Sequence, residues 1–85
     1  MTYIVGWLPS AEQELAALWN SAPDRREITA AADDIDAALA RHPLTLGESR
    51  GGRTRIAFQT PLAVLFDVDI SAQKVTVWDL WRWPP

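Results

Sequence analysis

The stretch Pro61–Asp69, PLAVLFDVD, decides the fold. Side chains alternate between the two faces of a strand. Leu62, Val64, Phe66 and Val68 therefore point one way, and Ala63, Leu65, Asp67 and Asp69 the other. The first set is wholly apolar and predicts a buried face. The second ends in carboxylates and predicts a face that is at least partly open. We read this stretch as the central strand of an antiparallel sheet, with Arg53–Gln59 and Lys74–Trp83 as its neighbours and everything N-terminal to them as the layer covering the buried face. What the open face does is then the functional question.

Outward from this strand, Arg53–Gln59 is expected to turn Thr54, Ile56 and Phe58 inward and Arg53, Arg55 and Ala57 outward. In Lys74–Trp83, strict alternation sets Val75, Val77, Asp79, Trp81 and Trp83 on one face and Trp78 and Leu80 on the other. Leu44–Gly52, LTLGESRGG, holds three glycines and reads as a loop. Nearer the start, Thr2–Leu8 alternates as a strand that Pro9 ends. Ser10 with Gln13 forms a capping box for a first helix whose apolar positions are Ala11, Leu15, Leu18, Trp19 and Ala22. Pro23 breaks it, and Asp24 with Glu27 opens a second, with Ile28, Ala31, Ala32, Ile35, Ala38 and Leu39 on its apolar side. His42 before Pro43 favours a stop there. The short link makes an antiparallel helical hairpin. The expected fold is α+β in two layers: β-α-α-β-β-β over residues 1–85 as one domain, the hairpin packed on a mostly antiparallel four-stranded sheet, the first strand beside the last.

A chain of 85 residues buries only about 60–65% of the surface its unfolded form exposes, so a partner chain would add much to its stability. With 48% hydrophobic and 22% charged residues it is globular, not disordered. Its five tryptophans each bury roughly 150–250 Å² when packed, and several left exposed would make a sticky surface. The absence of cysteine excludes disulfides and thiolate metal sites and fits a reducing cytoplasm. The start, MTYIVGWLPS, lacks a basic region and does not read as a secretory signal. No apolar run reaches the ~18 residues of a membrane span. One histidine rules out a His-rich metal site, and no cofactor is implied. A net charge of −3 argues against non-specific coating of DNA.

Four groups of residues carry possible chemistry. Arg50, Arg53 and Arg55 are the basic cluster: either a phosphate or RNA contact site, or exposed residues paired with Asp67, Asp69 or Glu48. Glu48, in GESRGG, reads as a general base, as a group orienting Arg50, or as part of a solvated turn. His42 is an acid/base candidate or simply the cationic end of a helix. Trp81 and Trp83, with Arg82 between them, read as a docking surface for a partner helix or a second copy, with base stacking and plain packing as alternatives.

Several short segments together carry a resemblance. The opening strand ends in Trp7–Leu8–Pro9, and the first helix has Ala–x–x–Glu–Leu–x–x–Leu–Trp (Ala11, Glu14, Leu15, Leu18, Trp19). The second helix ends in Arg41–His42–Pro43, followed by the basic strand RTRIAF and the hairpin PLAVLFDVD–KVTVWDL. Over nearly its whole length the chain resembles the RelE/ParE superfamily of toxins from type II toxin–antitoxin systems. The resemblance implies a small bacterial toxin held inactive by a cognate antitoxin, acting on translation by ribosome-dependent mRNA cleavage or on DNA gyrase. RNA-cutting members use basic residues on the strand after the helical hairpin, an arginine at the start of the next strand, and a C-terminal arm with basic and tyrosine residues. Attack by the 2′-OH adds negative charge at phosphorus, which fixed guanidinium groups stabilise.

Carried over, Arg53 and Arg55 take the alternating basic positions. Ala63 stands where active members have the strand arginine. Trp81–Arg82–Trp83, followed by the last residues to Pro85, stands in place of the arm, so only Arg82 could substitute there. Tyr3 is the sole tyrosine and lies on the first strand. These departures set a gyrase-directed member, and a non-catalytic one that only binds a partner, beside the nuclease. Replacing Arg53 and Arg55 together by alanine is expected to abolish toxicity without unfolding the chain.

Overall fold

The computed structural model describes residues 2–85. Its elements are β1 (Ile4–Trp7), α1 (Pro9–Ser21), α2 (Arg25–Arg41), β2 (Glu48–Gly51), β3 (Thr54–Gln59), β4 (Leu62–Asp69) and β5 (Lys74–Arg82). They form one sheet in the order β1-β5-β4-β3-β2, with the helical hairpin on one side. The architecture is the α+β arrangement expected, and β1 lies beside β5 as expected, running parallel to it.

The sheet has five strands rather than four. The extra strand is β2, inside the glycine-rich segment read as a loop, and it pairs antiparallel with β3 through Glu48↔Ile56 and Ser49↔Arg55. Two glycines make the tight return possible: Gly51 and Gly52 sit at φ of 106° and 56°, where only glycine is unstrained.

Leu62, Val64, Phe66 and Val68 of β4 are all buried under the helices. They meet Ile28, Ala31, Ile35 and Leu39 of α2, Ala11 of α1, and Val75, Val77 and Leu80 of β5 in one cluster. Burying a side chain such as Phe66 stabilises by about 3 kcal/mol.

Helix α1 begins at Pro9, not Ser10. Proline costs nothing at the first helical position, since its missing N–H would be unpaired there. The residue before it, Leu8, has no side chain able to cap, so no capping box forms. Asp24 is the residue preceding α2, as expected, yet its carboxylate does not cap the helix. It accepts a hydrogen bond from Arg82 Nη2 at 2.6 Å, tying the end of β5 to the turn between the helices. His42 ends α2, its backbone N–H donating to the Ala38 carbonyl.

Candidate functional site

The two faces of the sheet follow from strand register, because directly paired residues share a face. In β3, Arg55 and Ala57 lie opposite Phe66 and Val64, so they belong to the helix-covered face. Thr54, Ile56 and Phe58 lie opposite Asp67, Leu65 and Ala63, so they belong to the open face. This inverts the expected orientation of β3. The strand carries apolar residues in both phases, and only the pairing with β4 separates them.

In β5 the alternation itself is interrupted. Phe66 pairs with Val77 and Leu65 with Asp79, leaving Trp78 as an inserted residue without a partner on β4. Such a bulge shifts every later side chain to the other face. Leu80 and Arg82 thereby turn to the helices, while Trp78, Asp79, Trp81 and Trp83 turn to the open side. The expectations that Trp78 opposes Trp81 and Trp83, and that Asp79 shares a side with Val75 and Val77, are both corrected by this one residue.

The open face has two halves. One is charged. There Asp67 Oδ1 accepts from Thr54 Oγ1 at 2.7 Å and from the Trp78 indole N–H at 3.1 Å. Asp69 pairs with Arg53 at 3.5 Å and accepts the Ala72 backbone N–H. Lys74 and Thr76 complete this half, which encloses a shallow depression walled by Trp78 and Leu8. The other half is aromatic. Trp81 lies opposite Ala63, and Ala63 lies opposite Phe58. Phe58 and Trp83 meet with ring centroids 5.2 Å apart, a tilted contact. Ala63 and Ile56 are buried on this side too, whereas Phe58 and Trp83 remain 46% and 42% exposed. The aromatic rings roof the middle of the sheet and present their outer surfaces to solvent.

The arginines are not gathered on this face. Arg50, at the tip of β2, pairs with Glu48 at 3.6 Å. Arg53 reaches Asp69 on the open face. Arg55, on the other face, donates from Nε to the Leu46 carbonyl and from Nη2 to the Gly47 carbonyl, each at 3.1 Å, and so holds the segment entering β2. Arg82 is engaged by Asp24 on the helix side, apart from Trp81 and Trp83. Arg82 holds the Asp24 carboxyl below its ordinary range, through the hydrogen bond first and its charge besides. Phe58 is the residue of this surface that sequence reading missed. Its partner Trp83 was in view, but the inverted phase of β3 hid the contact.

A helical hairpin on one side of a mostly antiparallel sheet whose other side stays open is the architecture of the RelE/ParE toxins, and the chain has that fold. A chain of the toxin–antitoxin complex RelBE2 from Mycobacterium tuberculosis is similar to it with a TM-score of 0.80 and 20% identity, over 96% of this chain and 92% of that one. The chromosomal ParDE toxin–antitoxin system of P. aeruginosa gives a TM-score of 0.69 and 17% identity, over 94% of this chain and 95% of that one. The archaeal RelE–RelB complex from Pyrococcus horikoshii OT3 gives 0.61 and 17%, over 96% of each chain. No protein-family model matches the sequence, and no curated protein does.

Proposed function

We propose that the chain is the cytoplasmic toxin of a type II toxin–antitoxin pair, and that it acts by binding a protein through the aromatic half of its open face, with DNA gyrase as the first target to test. The fold likeness to chains of RelBE2, ParDE and RelE–RelB systems supports the toxin role and a cognate antitoxin as partner. The carrying observation is what surrounds Ala63. A cluster of Trp81, Phe58 and Trp83 occupies the sheet around it, while Arg50, Arg53, Arg55 and Arg82 are engaged elsewhere. Aromatic side chains exposed beside a buried small residue are the composition of a protein-binding hot spot.

Ribosome-dependent mRNA cleavage is the competing reading, with Arg50, Arg53 and Arg55 on the phosphate and Glu48 as base. It would require these side chains to leave their present partners and converge from both faces of the sheet. Induced expression in a bacterial host separates the readings. Growth arrest with a DNA-damage response, lost in Phe58→Ser and Trp83→Ser but kept in Arg50→Ala/Arg53→Ala, supports protein binding at the aromatic half. Early loss of translation that disappears with the arginine pair supports RNA cleavage and overturns our reading. No arrest from a folded, well-expressed chain leaves the non-catalytic partner-binding member.

A further inference from the structure

A second depression lies on the opposite side from this face. It is a groove of about 870 Å³ between α1 and α2, with Val5 and Trp7 of β1 at its floor. Leu15, Ala16, Ile28 and Ala32 make its walls apolar. Both of its tryptophans are pinned by their indole N–H: Trp7 donates to Asp36 Oδ1 at 3.0 Å and Trp19 to Thr29 Oγ1 at 3.1 Å, each bond spanning to α2. The walls are therefore held in place before anything binds, which lowers the ordering cost of association.

The charge around the groove has one sign. Glu12 of α1 and Asp33 and Asp36 of α2 line it, and no lysine or arginine does so among the described residues. Arg25 lies over the Trp19 ring at 4.7 Å and donates to the Trp19 and Asn20 carbonyls, closing the end of α1. An apolar trough between two helices with carboxylates on both banks fits an amphipathic helix with apolar anchors at i, i+3, i+4 and i+7 and basic residues flanking them. An acidic helix would set like charges against both banks, and an unstructured polar chain would leave the trough wet.

We propose that this groove is a docking site for a basic amphipathic helix of a partner protein. The inference goes beyond the proposed function, since it holds whatever the open face binds. The two surfaces lie on opposite sides of the sheet, so both can be filled at once.

The test uses the full chain and a fluorescently labelled synthetic helix with leucine on one face and lysine on the other, at physiological salt. A second peptide keeps the leucine face and replaces lysine by glutamate. The lysine peptide is expected to bind, the glutamate peptide not. Ala16→Trp, which fills the trough, is expected to weaken binding about tenfold or more, the scale of a lost hot-spot anchor. A charge-matched pair of variants separates a specific seat from general attraction. Glu12→Lys/Asp33→Lys, on the banks, is expected to weaken binding by about tenfold, and Glu14→Lys/Asp34→Lys, outside the groove on the same helices, by much less. Equal losses from the two pairs, indifference to Ala16→Trp, or no binding of the lysine peptide would each overturn the proposal. Growth arrest is not read in this experiment, so its failure leaves the reading of the open face standing.

Discussion

The two faces of β4 use the same strand for opposite ends. On the helix side Leu62, Val64, Phe66 and Val68 are sealed by aliphatic neighbours from four other elements, α1, α2, β3 and β5. On the other side Ala63 is buried between Phe58 and Trp81 on the neighbouring strands, Phe58 itself staying half-exposed, and Asp67 and Asp69 are spent on local polar partners. A sealed face stabilises the fold. A face that covers itself with rings and leaves those rings exposed keeps apolar surface available for something else.

The sharpest way to break this contrast is to compare two phenylalanines. Phe66→Ala is expected to destabilise by about 3–5 kcal/mol, the cost of an aromatic cavity in a packed core. Phe58→Ala, which gives up one tilted ring contact at a half-exposed site, is expected to cost about 1 kcal/mol. Urea denaturation of both variants reads the difference. Equal losses would make the aromatic half a second core rather than a docking surface.

A backbone change sharpens the contrast at the sheet edge. Gly47 has φ of 67°, and a Cβ added there would lie 1.9 Å from the Ile56 carbonyl oxygen, a backbone atom that cannot turn aside. Gly47→Ala is expected to cost about 2–3 kcal/mol and to loosen β2 from β3. Hydrogen exchange at Ser49 and Arg55 would show it, and a variant with native protection there would refute the assignment of β2 as a fixed strand.

The arginines give a smaller contrast. Arg55→Ala removes two charge-assisted bonds to carbonyls that otherwise lack these donors, and should cost about 1.5–2 kcal/mol. Arg53→Ala removes an exposed ion pair and should cost at most about 0.5 kcal/mol. If the two are equal in thermal unfolding, Arg55 is not a structural residue and its role on phosphate regains weight.

How much of this was legible depends on the strand. Strand β4 was readable because one phase is wholly apolar and the other ends in two carboxylates. Strand β3 was not, because Ile56 and Phe58 in one phase compete with Ala57 in the other, and alternation alone cannot rank them. Strand β5 looked regular, since a bulge leaves no mark in composition; only the pairing with β4 shows Trp78 as the inserted residue. Strand β2 was hidden by its own turn, whose glycines read as loop. These misses fall at the candidate site and move in one direction: Phe58 joins the open face, and Arg55 and Arg82 leave it.

The last contrast is read along pH and concerns Arg82, the residue that the bulge turned inward. Its hydrogen bond and charge hold the Asp24 carboxyl below the ordinary value of 3.8, with burial opposing in part. A carboxyl whose folded value is depressed contributes stability that is fully present above its unfolded value. That contribution is lost as pH falls through the folded value. Asp24 Oδ1 is buried without a hydrogen-bond partner, so Arg82 is what offsets the cost of placing the carboxylate there. Arg82→Met keeps the apolar stem and deletes the charge. The variant is expected to be less stable than the parent at neutral pH, and the gap to close as pH falls below the ordinary carboxyl value of 3.8 and through the lower folded value, where Asp24 takes up its proton. A gap independent of pH would mean that Arg82 acts through packing alone.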